Sequence, residues 1–260
     1  METVKNKFSK LVTGSLTFIL FFVAIPSFKD PLHWDEHFTS LLSTDVSVKE
    51  MILLPTDREK KFDILDYRPN PYQTLPNLFV LGVVKLDLFS KSNIRLGSLL
   101  VFLIFLMTLY RFSLVYLSPI TTVIIYGNLI TNSTFQWFIF PSRGYSYGMT
   151  FCLLFLYFTL LFIDKNKKSG NKSLYVAGFA MLMALLSHNL AGLFCILVIS
   201  VIILCVVKEY YSGRILDEAK RKLILVGSIL SPIALFFLYL HMLHLDELGD
   251  LDKKGSMKTF

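Results

Sequence analysis

Apolar positions run through this chain in long blocks, broken by short segments rich in Lys, Asp, Pro and Gly. A helix that crosses a hydrocarbon core of about 30 Å needs about 20 mostly apolar residues. Seven blocks have that character: 11–28, 97–117, 119–140, 145–163, 174–187, 190–207 and 223–241. The stretch 174–207 is too long for one crossing at a rise of about 1.5 Å per residue. It is read as two short helices that turn at His188-Asn189. The pattern predicts an all-α membrane fold of about seven transmembrane helices.

One long polar segment, 29–96, follows the first block and forms the first outer loop. Within it, Ser47-Val48-Lys49-Glu50 has the capping-box pattern that opens a helix over 48–54. Leu75, Leu78, Phe79, Gly82, Leu86 and Phe89 recur at helical spacing with Lys85 and Asp87 among them. They predict an amphipathic helix in the membrane interface. Sidedness follows from Lys and Arg in the short connections. Lys5, Lys7 and Lys10 precede the first block. Lys165, Lys167, Lys168 and Lys172 precede the fifth, and Lys208, Arg214, Lys220, Arg221 and Lys222 precede the seventh. With the N-terminus in the cytoplasm, seven crossings put all three clusters inside. The Arg143 turn, the His188 turn and the C-terminal end then lie outside.

Composition narrows the reading. Only 17% of the 260 residues are charged and 54% are hydrophobic, against about 25% charged in a soluble domain. Mean hydropathy is +0.58. Disorder, collagen, coiled coil and a small disulfide scaffold are excluded, and a soluble globule would carry this load as exposed apolar patches. The 24 Phe and 12 Tyr suit lipid-facing helices. The net charge of +7 marks the cytoplasmic side of a membrane rather than a nucleic-acid-binding face. Cys152, Cys195 and Cys205 all lie in apolar blocks and read as small buried side chains. The first block lacks a small-x-small cleavage site at Val23-Ala24-Ile25-Pro26, so it reads as an uncleaved anchor.

Several residues carry candidate chemistry. Asp35 and Glu36, in His33-Trp34-Asp35-Glu36-His37, follow the anchor at the outer surface. Two adjacent carboxylates there can serve as a general base and its electrostatic partner; the alternative is a solvated loop start with Trp34 as anchor. Arg143 is the one cation between Arg111 and Lys165. A forked donor beside a helix N-terminus suits a phosphate, and the alternative is snorkelling to headgroups. Asn128, Asn132 and Gln136 form a polar stripe on the third block, facing either a groove or a neighbouring helix. His188 marks the turn between the fifth and sixth blocks. Gly144-Tyr145-Ser146-Tyr147-Gly148 matches a nucleophile-elbow pattern without the strand it needs; Ser146 with His188 as base would instead make an intramembrane serine protease. His241 and His244 with the acidic tail fit a metal site only loosely.

The ordered set of motifs resembles the C-type integral-membrane glycosyltransferases, the group of the protein O-mannosyltransferases, the aminoarabinose lipid A transferases and related bacterial enzymes. The Asp35-Glu36 pair resembles the acidic start of that family's first outer loop. Asn70-Pro71-Tyr72 resembles its Pro-Pro-Leu-Tyr segment without the second Pro. Ile94-Arg95-Leu96-Gly97-Ser98-Leu99 resembles its Leu-Arg-Leu-Pro-Ser start of the second span. Ser142-Arg143-Gly144-Tyr145 resembles its Ala-Arg-x-Tyr turn, and Ser187-His188-Asn189-Leu190-Ala191-Gly192 its Thr-His-Tyr-x-Gly turn.

The resemblance covers most of 11–241; residues 1–241 would be the membrane-embedded glycosyltransferase module with 29–96 as its outer loop, and 242–260 a short outer tail. Family members are usually longer, so a short member, a truncated copy or one piece of a larger assembly each fit. The resemblance implies a polyprenyl-phosphate-linked sugar donor, surrounding membrane lipids, and a lipid, glycan or protein acceptor, with no nucleic acid. Asp35 would be the general base with Glu36 supporting it. Arg143 and His188 would bind the donor phosphate, and Tyr72, Asn132, Gln136 and Tyr145 would line the substrate groove. No cofactor is firmly implied, and a divalent metal stays open. The location implied is the plasma (inner) membrane, with the active site outside. A non-catalytic membrane subunit is the remaining alternative.

Overall fold

A computed structural model describes residues 2–29, 74–86, 91–140, 144–164 and 171–211, with Gly227. Those residues form helices and connecting turns, with no strand among them. Helix α1 is Glu2–Ala24 and runs into a 3-10 turn, Ile25–Lys29. Helix α2 is Thr74–Lys85 and α3 is Lys91–Tyr116. Helices α4 and α5 are Pro119–Thr131 and Ser133–Ile139. Helices α6, α7 and α8 are Gly144–Ile163, Asn171–Ser187 and Asn189–Tyr211.

Three stretches of helix are long and apolar enough to cross a membrane: Lys7–Phe28, Asn93–Tyr116 and Gly144–Ile163. The shortest has 20 residues, about 30 Å at the helical rise, which equals the thickness of a hydrocarbon core. Helices α4, α7 and α8 are apolar but contribute shorter described stretches. The sixth block begins a separate helix at Asn189, so the turn at His188 is where the sequence places it. The third block departs from expectation. It is two helices, because Asn132 leaves the helical conformation at φ −82° and ψ 101°. The 48–54 helix and the 223–241 block lie outside the described residues, apart from Gly227.

The surface explains the composition. Phe18, Phe22, Ile120, Ile124, Met107, Phe179, Leu197 and Leu204 are exposed on five helices. In water such a surface would drive association, and in lipid it is neutral. Inside, two cores form. Phe102 stacks on Phe21 and meets Phe140 edge-on, while Phe28 meets Phe140 and Phe105 lies beside Phe135. That aromatic column joins α1, α3 and α5. The second core sits between α6, α7 and α8. Ala177, Ala180 and Ala184 share one face of α7 and let Phe155, Phe162 and Met181 close the gap to α6.

Several hydroxyl side chains in the bundle are satisfied within their own helix. Thr17, Thr108, Thr122, Thr131, Thr150 and Ser200 each donate to a carbonyl one turn earlier. Across helices, Thr17 of α1 and Tyr126 of α4 share a hydroxyl–hydroxyl bond of 2.7 Å. Helix α2 is present where the periodicity predicts one, but its buried face differs. Pro76, Asn77, Val80 and Leu81 are buried rather than the Leu78–Gly82–Leu86 stripe, because α2 packs against α3, α6 and α7.

Replacing Tyr126 with Phe should cost about 0.6 kcal/mol, the mean for hydrogen bonds between membrane helices. Unfolding in detergent–lipid mixtures measures it. A double-mutant cycle with Thr17→Val should find a coupling of that size, with the Thr17 bond to the Thr13 carbonyl lost in the Thr17 variants alone.

Candidate functional site

The helices alternate in direction, so six helix ends meet at one end of the bundle. Arg95 Nη1 donates to the carbonyls of Ser27 and Phe28 at 3.3 and 3.2 Å, which brings the start of α3 to the end of α1. Phe28 against Phe140 adds the end of α5. A Cβ placed on Gly97 would lie 2.3 Å from the Tyr147 hydroxyl, so α3 and α6 begin side by side. The Tyr145 ring lies 4.6 Å from the His188 ring, centroid to centroid, which adds the turn between α7 and α8. Buried polar residues concentrate here: Asn77, Arg95, Ser98, Ser146 and Ser187 are each less than a tenth exposed.

His188 is the residue with the most constrained chemistry. Its backbone carbonyl accepts from the N–H groups of Ala191 and Gly192. Its Nδ1 accepts from the Leu190 N–H at 3.2 Å. The side chain therefore caps α8, as Ser or Asn commonly does. With Nδ1 held as acceptor, the neutral ring carries its proton on Nε2. Burial pushes the imidazole below the usual histidine value, so at neutral pH the ring is a neutral Nε2–H donor. Close packing fixes it from below: a Cβ on Gly148 would sit 3.3 Å from His188 Cβ and 2.9 Å from Ala191 Cβ.

Helix α6 begins at Gly144, beside the His188 turn. The positive end of a helix dipole and the Nε2–H of His188 both favour an anion. Tyr145, at 39% exposure, is open to solvent or ligand beside them.

The expected site residues divide. Tyr145 and His188 come together. Arg143 immediately precedes α6 in the chain, and Asp35, Glu36 and Tyr72 also lie outside the described residues. Asn128, Asn132 and Gln136 do not form one continuous stripe, because the helix breaks among them. Asn132 Oδ1 caps α5 by accepting from the Phe135 N–H at 3.0 Å. Gln136 Nε2 donates to the Ile130 carbonyl. Both polar groups thus seal the break, while Asn128 and Asn132 remain exposed.

Arg95 has a part that the sequence reading gave only as one letter of a motif. The apolar block was begun at Gly97, which left Arg95 in the loop, yet α3 starts at Lys91 and encloses it. The available signal was an ionisable residue between Ile94 and Leu96 at the head of an apolar run. Among the described residues no three His, Cys, Asp or Glu side chains converge as a metal site would require. Comparison with protein-family models, with curated proteins and with solved structures finds no match to this chain.

Two predictions follow from this end of the bundle. Gly148→Ala should destabilise the protein by about 1–3 kcal/mol, the usual cost of overpacking, because Ala191 and the His188 turn must move. Gly127→Ala, with nothing within 4 Å of the added carbon, should not destabilise; thermal unfolding compares the pair. The pH dependence of His188 is also signed. Its folded pKa is depressed, so the unfolded chain takes up the proton first. Stability is level above the ordinary histidine value of about 6.5 and falls as pH drops from there toward the folded value. His188→Asn keeps a capping acceptor and should remove that component of the acid loss. Melting curves between about pH 8 and pH 5 check it, and an unchanged slope in the variant would assign the loss to other groups.

Proposed function

We propose that this chain is a multi-pass membrane glycosyltransferase that moves a sugar from a polyprenyl-phosphate-linked donor to a lipid, glycan or protein acceptor at the outer face of the plasma membrane. The observation that carries the reading is the pairing of Tyr145 with His188 at the start of α6, where the next residue upstream is Arg143. His188, a neutral Nε2–H donor, thus lies at one end of a bundle whose sides are apolar, beside a helix start that follows directly on the arginine that the reading assigns to the phosphate. An amphipathic donor needs that geometry, with its tail along the bundle and its headgroup at the end.

In this reading the chain crosses the membrane seven times from a cytoplasmic N-terminus. Asp35 takes the proton of the acceptor hydroxyl as its oxygen attacks the anomeric carbon, and Glu36 supports Asp35 electrostatically. The carbon–oxygen bond to phosphate breaks, and the polyprenyl phosphate leaves with its new charge against Arg143 and the Nε2–H of His188. Arg supplies the forked contact a phosphate prefers. Tyr145 borders the sugar, with Tyr72 lining the same groove. Asn132 and Gln136 contribute less than the stripe implied, since their amide groups close the α4–α5 break. The serine-protease alternative is disfavoured: with Nδ1 occupied by the Leu190 N–H, His188 has no free lone pair to deprotonate Ser146.

Membranes containing the chain should release sugar from one member of a panel of polyprenyl-phosphate sugars. Arg143→Ala should lower that turnover by about 10²–10³-fold, the usual cost of losing one charge-stabilising donor, and Asp35→Asn should abolish it. Folded protein inactive toward every donor would instead favour a non-catalytic subunit.

A further inference from the structure

Arg95 is the largest side chain fully enclosed among the described residues, with 1% of its surface exposed. An enclosed guanidinium in an apolar bundle is costly without strong acceptors. Arg95 takes two of them from Ser27 and Phe28, in the 3-10 turn that continues α1, where the helix dipole is negative. Two residues along α3, Gly97 allows the Tyr147 hydroxyl and the Phe79 ring to approach, with an added Cβ meeting them at 2.3 and 2.7 Å. Tyr147 in turn lies between Tyr145, which meets His188, and Gly148, which touches the His188 turn. Arg95 thus ties the end of α1 to the start of α3, and the starts of α3 and α6, packed at Gly97 and Tyr147, carry that tie on to the His188 turn.

We propose that Arg95 is a positioning residue that sets the end of α1 against the Tyr145–His188 end of α6 and α7. The proposal rests on the transferase reading, in which the acceptor's base follows α1 and the donor phosphate is held by α6 and the His188 turn. Arg95 touches neither substrate. It holds the two halves of the site at one spacing, so its loss should slow the chemical step and spare donor binding. A misplacement of about 1 Å at a reacting centre costs about 100-fold in rate.

The test combines kinetics with a distance that does not depend on activity. Spin labels at positions 22 and 190, both exposed, on α1 and on the first turn of α8 beside His188, report the spacing of the α1 end and the His188 turn in the full chain. Arg95→Met should broaden or shift that distance distribution. It should lower kcat by about 100-fold with donor KM changed by less than about threefold. Arg95→Lys, which keeps the charge and can reach one carbonyl but lacks the fork, should recover about tenfold of the lost kcat. A distribution identical to wild type in Arg95→Met would overturn the proposal. So would a parallel loss of kcat and donor affinity with no rescue by Lys, which would mark Arg95 as ordinary packing. Wild-type protein that transfers no sugar would overturn the transferase reading and the kinetic part of the proposal. The distance comparison would still decide whether Arg95 joins the helix ends.

Discussion

A bundle that exposes Phe18, Phe22, Ile120, Leu197 and Leu204 has sides suited to a medium with no hydrogen bonds to offer. Every backbone group freed by a break must then be satisfied from within the protein. Ser118 caps α4 by accepting from Thr121, with Pro119 at the first helical position where its missing N–H costs nothing. Asn132 closes α4 and opens α5, and Gln136 reaches back across the same break. His188 caps α8 with a ring nitrogen. Arg95 covers carbonyls at the end of α1. The irregular points of the chain are therefore where its polar side chains are used.

That constraint also brings chemistry to one end of the molecule. Alternating helix directions put the ends of α1, α5 and α7 beside the starts of α3, α6 and α8. The His188 cap and the Arg95 contacts lie there, and so do Ser98 and Ser146. The same bond that caps α8 gives His188 its tautomer, and the packing around Gly148 gives it its burial. A residue recruited to seal a backbone thus becomes a neutral, oriented donor. The phosphate-binding part of the proposed function builds on that side effect.

Much of the helical layout was legible in the amino-acid sequence, because hydropathy reports directly on which residues can lie against lipid. The long helices Lys7–Phe28, Asn93–Tyr116 and Gly144–Ile163 begin and end within four residues of the apolar blocks that predict them. The turn at His188 followed from length alone. Other features were hidden for identifiable reasons. Apolar content does not change at Asn132, so the break there depends on a side-chain cap that periodicity cannot register. Arg95 sits at the edge of a block, where a cation reads as a loop residue until a partner for it is known. The buried face of α2 is set by three neighbouring helices, and Val80 and Leu81 are no more apolar than Leu78. Of the candidate site, the nearness of Tyr145 to His188 required the fold, since 43 residues separate them.

The central claim is that the acidic pair after α1 and the arginine before α6 work on the same side of one membrane. Substituted-cysteine labelling tests it most directly, in a chain whose Cys152, Cys195 and Cys205 are replaced by Ala. Single cysteines at positions 35, 143 and 167 are exposed to a membrane-impermeant maleimide on intact cells and again after permeabilisation. The account predicts labelling of positions 35 and 143 from outside in intact cells, and of position 167 only after permeabilisation. Positions 35 and 143 labelling from opposite sides would contradict it, because no single site could then hold both the base and the phosphate donor.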